Sequence, residues 1–256
     1  KGALISLIKN YWDNSLKKKN NLQFILCGSI SSFMIDKVIQ SKALYGRIDI
    51  ELHVMEFMPN EIKTFFQNKI SDQELLKYTL LFGGVPKYLE LIATKDSFES
   101  NIQRLCFAKD SYFQFEFDKI FYSQFKKHRL HEKIVTLLSH GPLSLQELAD
   151  KLKISSSGGL KRYLNELLRA DFIITYTLDM KDSVKNKKYK LADSYLLFYF
   201  KFIRPSLKVT SQRNIARYFK DHVMAQWNSW LGFMFEIYCI KHALFFAEKL
   251  QILDVV

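Results

Sequence analysis

Cysteine is scarce in this chain of 256 residues, and its scarcity excludes two classes of fold. The three cysteines, Cys27, Cys106 and Cys239, lie far apart and are flanked by apolar residues. An odd, scattered set of this kind argues against a disulfide framework and against a zinc site. We therefore expect buried thiols in a reducing compartment.

Long apolar runs are also missing. No stretch of 18 apolar residues occurs, and the nearest, Trp230 to Phe246, is interrupted by Glu236 and Lys241. The chain opens on an amphipathic pattern and not on the continuous apolar core of a signal peptide. The sequence therefore predicts a soluble, cytoplasmic protein with no membrane partner.

Charge and hydrophobicity are plentiful. The chain has 38 basic and 26 acidic residues, a net charge of +12, and 48% hydrophobic residues. Such a composition supports real hydrophobic cores and argues against disorder. The basic excess favours phosphate-bearing partners, nucleic acid before membrane surfaces, although lysine-rich proteins also arise from AT-rich genomes.

Metal binding has little support. His128 and His131 lie three residues apart beside Glu132, but no cysteine or aspartate stands near them in sequence. A solvated basic turn is therefore the preferred interpretation, and we predict no metal site.

The stretch from 130 to 192 has the element order of a winged helix-turn-helix. Leu130–Leu138 has apolar residues at helical spacing, and Ser144 with Glu147 forms a capping-box pattern at the start of a second helix. A third helix follows, with its leucines on one side. The β-branched run 173–178, a basic loop at 181–188 and a short strand at 189–191 then predict the two-stranded wing.

Winged helices commonly place their third helix in a DNA major groove. Lys161, Arg162 and Asn165 fall opposite the leucines of that helix and suit base or backbone contacts. The wing lysines suit phosphate contacts, namely Lys181, Lys185, Lys187 and Lys188. Two alternatives stay open, since winged helices also serve as packing modules and a basic run is often only a solvated loop.

The first 57 residues have the pattern of an incomplete α/β unit. The runs 22–28 and 48–54 have the length and composition of strands, and a helix is predicted at 31–38 between them. Two strands are too few for a complete sheet. We therefore expect the end of an α/β domain whose beginning is missing, as the absence of a starting methionine at Lys1 also suggests.

Three short motifs carry a resemblance to a known family. They are Leu26-Cys27-Gly28-Ser29, Leu44-Tyr45-Gly46-Arg47 and Phe82-Gly83-Gly84-Val85-Pro86-Lys87-Tyr88-Leu89. In this order they resemble the archaeal-type ATPases, within the signal-transducing AAA-related P-loop ATPases. Members often continue into a winged helix and a nuclease-like segment.

The resemblance implies roles for four residues. Ser29 would end the sensor strand beside the γ-phosphate, and Arg47 would sense or neutralise the nucleotide phosphates. Gly84 and Pro86 would belong to the lid motif that packs against the adenine. Taken singly, Arg47 could equally stand in a surface turn, and Gly83–Pro86 could simply connect two helices.

The chain departs from that family at its catalytic half. A phosphate-binding loop requires a Gly-Lys pair, and none occurs in the sequence; the acidic magnesium-binding strand is absent too. ATP and Mg²⁺ are the cofactors of the complete family, and none is expected in this chain alone. We therefore expect ATP binding only together with the missing N-terminal half, and no hydrolysis by this chain by itself.

The end of the chain resembles the start of the family's nuclease-like segment. Glu236 would be its first acidic residue, but one acidic residue cannot make a two-metal site. A structural role for Glu236 is the preferred interpretation.

These patterns predict a mainly α protein with a small α/β remnant, a helical lid, a winged helix-turn-helix and a C-terminal helical segment. We expect the boundaries 1–57, 58–127, 128–192 and 193–256. The leading functional hypothesis is the sensor, lid and DNA-binding portion of an archaeal-type ATP-binding protein, with duplex DNA as partner and the oligomeric state left open. The alternatives are a winged-helix DNA-binding regulator with no nucleotide role, and a protein-interaction scaffold from a degraded ATPase gene.

Overall fold

The computed structural model describes residues 2–28, 34–125, 128–155, 158–177, 187–209 and 211–252. It is mainly helical, with 63% helix and 5% strand, and has a small three-stranded antiparallel sheet. The predicted fold class is therefore confirmed.

The N-terminal part forms a small unit of its own. Helix α1 (Gly2–Asn14) is followed by a 3₁₀ turn, Leu16–Lys18, and a π-helical turn, Met34–Ile39. Its buried apolar cluster consists of Ile5, Val38 and Leu44. This cluster is separate from the main core of the protein.

The two strand-like runs of this part differ from their prediction. Residues 22–28 and 48–54 are not paired in any strand of the described chain. The run 22–28 is mostly apolar and the run 48–54 alternates between apolar and polar residues, and both patterns are typical of strands. A strand forms only when a neighbouring strand shares its backbone hydrogen bonds. The described residues offer them no such neighbour.

Residues 58–125 form a helical bundle rich in aromatic side chains. It contains α2 (Pro59–Phe65), α3 (Asp72–Phe82), α4 (Pro86–Leu89), α5 (Phe98–Ile102, continued by a π-helical turn, Gln103–Phe107) and α6 (Tyr112–Gln124). The rings of Phe82 and Phe113 stack with centroids 4.4 Å apart. The Ser71 hydroxyl caps α3 by accepting the N–H of Glu74.

The winged helix has the predicted element order. It consists of α7 (His128–Leu138), β1 (Leu143–Ser144), α8 (Leu145–Leu152), α9 (Gly158–Arg169), β2 (Ile173–Thr177) and β3 (Lys187–Leu191). The sheet order is β1-β3-β2, and both pairings are antiparallel. Both hydrogen bonds of the capping box are present between Ser144 and Glu147, at 2.7 and 3.2 Å.

The C-terminal segment is helical with several breaks. It comprises α10 (Ser194–Phe198), α11 (Arg204–Ser206), α12 (Gln212–Tyr218), α13 (Trp227–Lys241) and α14 (Ala243–Leu250), with π-helical turns at Tyr199–Ile203 and Phe219–Val223. The helical run that begins at Ser194 continues through Pro205 and ends at Ser206.

Helix α13 begins at Trp227 and ends at Lys241, and His242 separates it from α14. No single helix of the described chain is long and apolar enough to cross a membrane, although the pair broken at His242, bent by 75°, meets that test by length and composition.

One hydrophobic core joins the bundle, the winged helix and the C-terminal segment. Its buried residues run from Ile62 in α2 to Ile237 in α13. Trp230 of α13 lies against Phe198 and Phe202, with ring centroids 5.7 and 5.5 Å away. The third helix of the winged helix is thus supported by a continuous scaffold.

Candidate nucleic-acid interface and nucleotide-site residues

Helix α9 presents a polar face to solvent. Its inner side chains Leu160, Leu164 and Leu167 are at most 2% exposed. The opposite side chains are exposed, namely Lys161, Arg162, Asn165 and Arg169. The helix is therefore held by leucine burial and leaves three cations and one amide accessible.

A buried histidine fixes the orientation of α9. The Nε2 atom of His131 in α7 lies 2.8 Å from the Oε2 atom of Glu166 in α9, and the imidazole ring stacks on Phe125 with centroids 3.9 Å apart. Glu166 also lies 3.9 Å from Arg162. The two helices are thus joined by a polar contact within the apolar interface.

The predicted solvated turn at His131 is wrong, because its side chain is only 1% exposed. His131 shares the helical face of Ile134, Val135 and Leu138, all of which are buried. That periodicity could have located it. Within the described ranges, no group of three or more His, Cys, Asp or Glu side chains is arranged to hold a metal ion.

The wing lysines have different environments. Lys187 and Lys188 are the first residues of β3 and not part of the loop that the sequence predicted, because strand pairing extends to the Thr177–Lys187 pair. Lys187 is exposed, whereas Lys188 is half-buried between Ser144 and Tyr176 of the flanking strands. Lys181 and Lys185 lie outside the described residues.

Helix α13 contacts the wing at Lys190 of β3. The Lys190 ammonium lies 5.7 Å from the centre of the Phe233 ring and 3.7 Å from the Glu236 carboxylate. Glu236, the predicted first acidic residue of a nuclease-like segment, therefore contacts the wing.

Arg47 is engaged by a carboxylate of α1. Its Nε and Nη2 atoms each donate to an Asp13 oxygen at 2.8 Å, and Nη1 donates to the Tyr45 carbonyl at 3.1 Å. The hydrogen bond with Asp13 raises the pKa of Arg47 and lowers the pKa of Asp13. A phosphate approaching this guanidinium would compete with Asp13. Ser29 lies outside the described residues.

The predicted lid motif is a tight turn packed on the backbone. Gly83 has φ +66°, which favours glycine. The Gly84 carbonyl accepts the N–H of Phe57 at 2.8 Å, and a Cβ atom on Gly84 would clash with the Phe57 carbonyl oxygen. Pro86 then begins α4. The backbone conformation of Gly83 and the close packing at Gly84 therefore explain why glycine occupies both positions. The sequence analysis did not identify Glu56 as a partner of this turn, although its carboxylate accepts the N–H of Gly84 at 3.0 Å.

The predicted nucleotide residues make separate contacts. Among the described residues, the side chain of Arg47 hydrogen bonds to Asp13 and Tyr45, whereas Gly84 hydrogen bonds to residues 56 and 57. Within this described part of the chain, no hydrogen bond joins Arg47 to the glycine turn.

Comparison with known proteins finds a similar archaeal sequence. An uncharacterized protein of Methanocaldococcus jannaschii is 30% identical over 238 residues, which cover 91% of this chain and 52% of that protein. The chain thus spans about half the length of the relative it matches. No family model matches the chain, and no solved structure matches it.

Proposed function

We propose that the winged helix of residues 128–192 binds duplex DNA, as the DNA-binding part of an ATP-binding protein of the archaeal ATPase type. The observation that carries this proposal is the exposed polar face of α9, with Lys161, Arg162, Asn165 and Arg169 opposite the buried side chains of Leu160, Leu164 and Leu167. A helix anchored in this way can enter a major groove without losing its own packing.

The side chains of α9 divide by chemistry. Arg162 and Asn165 can each make two hydrogen bonds to a base edge, guanine and adenine respectively. Lys161 and Arg169 suit phosphate oxygens. On the wing, exposed Lys187 suits a phosphate, and we extend that role to Lys185 and Lys188.

The nucleotide component of the proposal has its own support. Ile25, Leu52 and Val54 are 80, 81 and 87% exposed, and they lie in the two unpaired strand-like runs. Such exposure of large apolar side chains marks a contact surface. We propose that the rest of an α/β core covers these runs and completes a site for ATP and Mg²⁺ with Ser29, Arg47, Gly84 and Pro86.

This proposal puts the protein in the cytoplasm, where both ATP and DNA are present. The match of 238 residues covers 52% of the archaeal relative, so the unmatched part of that protein is of similar length. That length is sufficient for such a core. A DNA-binding regulator with no nucleotide role has the same α9 face in its favour.

Binding of a labelled duplex across a salt series tests the DNA component. Replacing Lys161 and Arg162 together by alanine should weaken binding at least tenfold and reduce the salt slope, by about 0.9 for each phosphate that is no longer neutralised. The matched control is Lys95→Ala, which removes an exposed lysine from the helical bundle. Equal affinities and slopes for all three proteins would show that α9 does not contact DNA and would leave the scaffold hypothesis.

A further inference from the structure

Glu56 connects three parts of the chain that are distant in sequence. Its Oε1 atom accepts from the Lys241 ammonium at 2.5 Å, and its Oε2 atom accepts from the N–H of Gly84 at 3.0 Å. Lys241 is the last residue of α13, and Gly84 belongs to the tight turn after α3. One carboxylate therefore contacts the turn and the C-terminal helix through different oxygen atoms.

The pair is largely withdrawn from solvent. The Lys241 and Glu56 side chains are 17 and 22% exposed. Burial by itself would raise the pKa of Glu56, but the Lys241 charge and the Gly84 N–H hold it below its ordinary value. Burial by itself would lower the pKa of Lys241, but the charge and hydrogen bond of Glu56 raise it above its ordinary value. Both groups are therefore charged, and either one alone would be a poorly solvated ion.

Among the described residues, Glu56 supplies the only carboxylate that hydrogen bonds to the Lys241 ammonium group. The Nε2 atom of His242 lies 4.0 Å from Glu56 and has no hydrogen-bond partner among the described residues. The nearby carboxylates are those of Asp193 and Asp171, which act on Lys241 through charge alone. The Asp193 carboxylate is already used, since it accepts the N–H of Leu196 at 2.7 Å.

The turn cannot move without disturbing this pair. Residues 56 and 57 hold Gly84 on both sides, through the Glu56 carboxylate and through the N–H of Phe57. On the other side, Lys241 stands just before the break at His242 where the chain bends by 75°. A displacement of the turn would carry Glu56 away from the end of α13.

We propose that Glu56 is a coupling residue between the Gly83–Gly84 turn and the C-terminal end of α13, so that displacing the turn loosens the end of that helix. Any ligand or partner that binds the turn and displaces it would thereby loosen the C-terminal end of α13. The proposal depends on neither DNA nor nucleotide binding.

Amide hydrogen exchange measured residue by residue tests the coupling. Lys241→Met keeps the apolar stem but removes the charge, and it should speed exchange at the end of α13. It should also speed exchange of the Gly84 amide, by about tenfold, because Glu56 loses its partner and becomes free to turn away. Glu56→Gln should speed exchange at both places, and the double variant should add little to either single change.

Two further variants sharpen the test. Lys63→Met removes an exposed ion pair with Asp72, 2.6 Å long, and should leave both regions unchanged. Lys241→Arg keeps the charge and should preserve most of the protection at Gly84. If Glu56→Gln fails to fold, Lys241→Met and Lys241→Arg decide the matter by themselves.

The proposal is overturned if Lys241→Met changes exchange only within α13 and leaves the Gly84 amide as protected as in the parent. It is equally overturned if the effects of Glu56→Gln and Lys241→Met add in full, or if Lys241→Arg is as damaging as Lys241→Met.

Discussion

Buried polar side chains connect the helices of this protein to neighbouring elements through hydrogen bonds. Asn101 is fully buried, and its amide accepts the N–H of Ala93 and donates to the Ala93 carbonyl, both at 2.9 Å. The same amide donates to the Tyr78 hydroxyl at 3.1 Å. One side chain therefore satisfies the backbone of a loop and the phenol of α3.

Replacing Asn101 by leucine should lower the free energy of unfolding by about 2 to 4 kcal/mol, because the N–H of Ala93 and the hydroxyl of the buried Tyr78 would each lose this hydrogen-bond partner. Urea unfolding followed by circular dichroism measures this. Gln73→Leu on the exposed face of α3 is the control and should change stability by less than about 0.5 kcal/mol. Equal effects of the two changes would contradict the role given to Asn101.

Asp193 should make stability depend on pH. Burial raises its pKa from 3.8 to about 6, against a smaller lowering by the N–H of Leu196 and the charge of Lys241. Because the folded-state pKa is the higher one, the contribution of Asp193 is fully present below pH 3.8 and is lost as the pH rises through about 6. The loss amounts to at most about 1.4 kcal/mol per pH unit.

Asp193→Asn keeps the helix cap and removes the titration. Across that pH window the parent should lose stability relative to this variant, and the difference should level off at higher pH. Urea unfolding of both proteins at several pH values measures it. A difference that stays constant with pH would mean that Asp193 does not titrate in this range.

Helix α9 and strand β3 differ in how many of their predicted DNA-binding side chains are exposed. The cations of helix α9 are all exposed, but in β3 strand pairing separates two neighbouring lysines. Lys187 stands exposed at the end of the strand opposite Thr177, whereas Lys188 is half-buried between two strands. Side chains of neighbouring residues in a strand point to opposite faces of the sheet. Lys187 and Lys188 therefore cannot contact the same phosphate equally well.

Lys187→Ala should therefore reduce the salt slope of DNA binding by about one unit, and Lys188→Ala by clearly less. Both changes should weaken all duplex sequences alike, because phosphate contacts carry no sequence information. Equilibrium titrations from about 50 to 200 mM salt measure the slopes. Equal slopes for Lys187→Ala and the parent would mean that the wing is a solvated surface without a role in DNA binding.

At the scale of the whole molecule, the chain consists of a well-packed part and an apolar, incompletely covered part. One core runs from Ile62 to Ile237, whereas the described part of the first 57 residues buries a separate cluster of Ile5, Val38 and Leu44. The exposed apolar side chains of the strand-like runs need a further surface, and we have proposed that the remainder of an α/β core supplies it.

By itself the chain should not release phosphate from ATP, because its sequence lacks a Gly-Lys pair for a phosphate-binding loop. Phosphate release with and without this chain, in the presence of Mg²⁺, measures the activity. Release that exceeds the buffer blank and survives Arg47→Ala would contradict the proposed division of the nucleotide site.

Local sequence signals are sufficient to predict the winged helix. The capping box of Ser144 and Glu147, the leucine spacing of α9 and the β-branched residues of β2 are signals contained within a few residues, and each reappears at its predicted place. Local hydrogen bonds and side-chain periodicity decide such elements, so a single sequence suffices to find them.

The remaining features depend on contacts between residues that are distant in sequence. The pairs Glu56–Lys241, His131–Glu166 and Arg47–Asp13 join residues far apart in sequence, and no local pattern marks a partner at such a distance. Likewise, the two strand-like runs have the composition of strands but no pairing within the described chain, because a strand is completed by a neighbour and not by its own residues. Which charges are buried, and which strands form, depends on what the folded chain brings beside them.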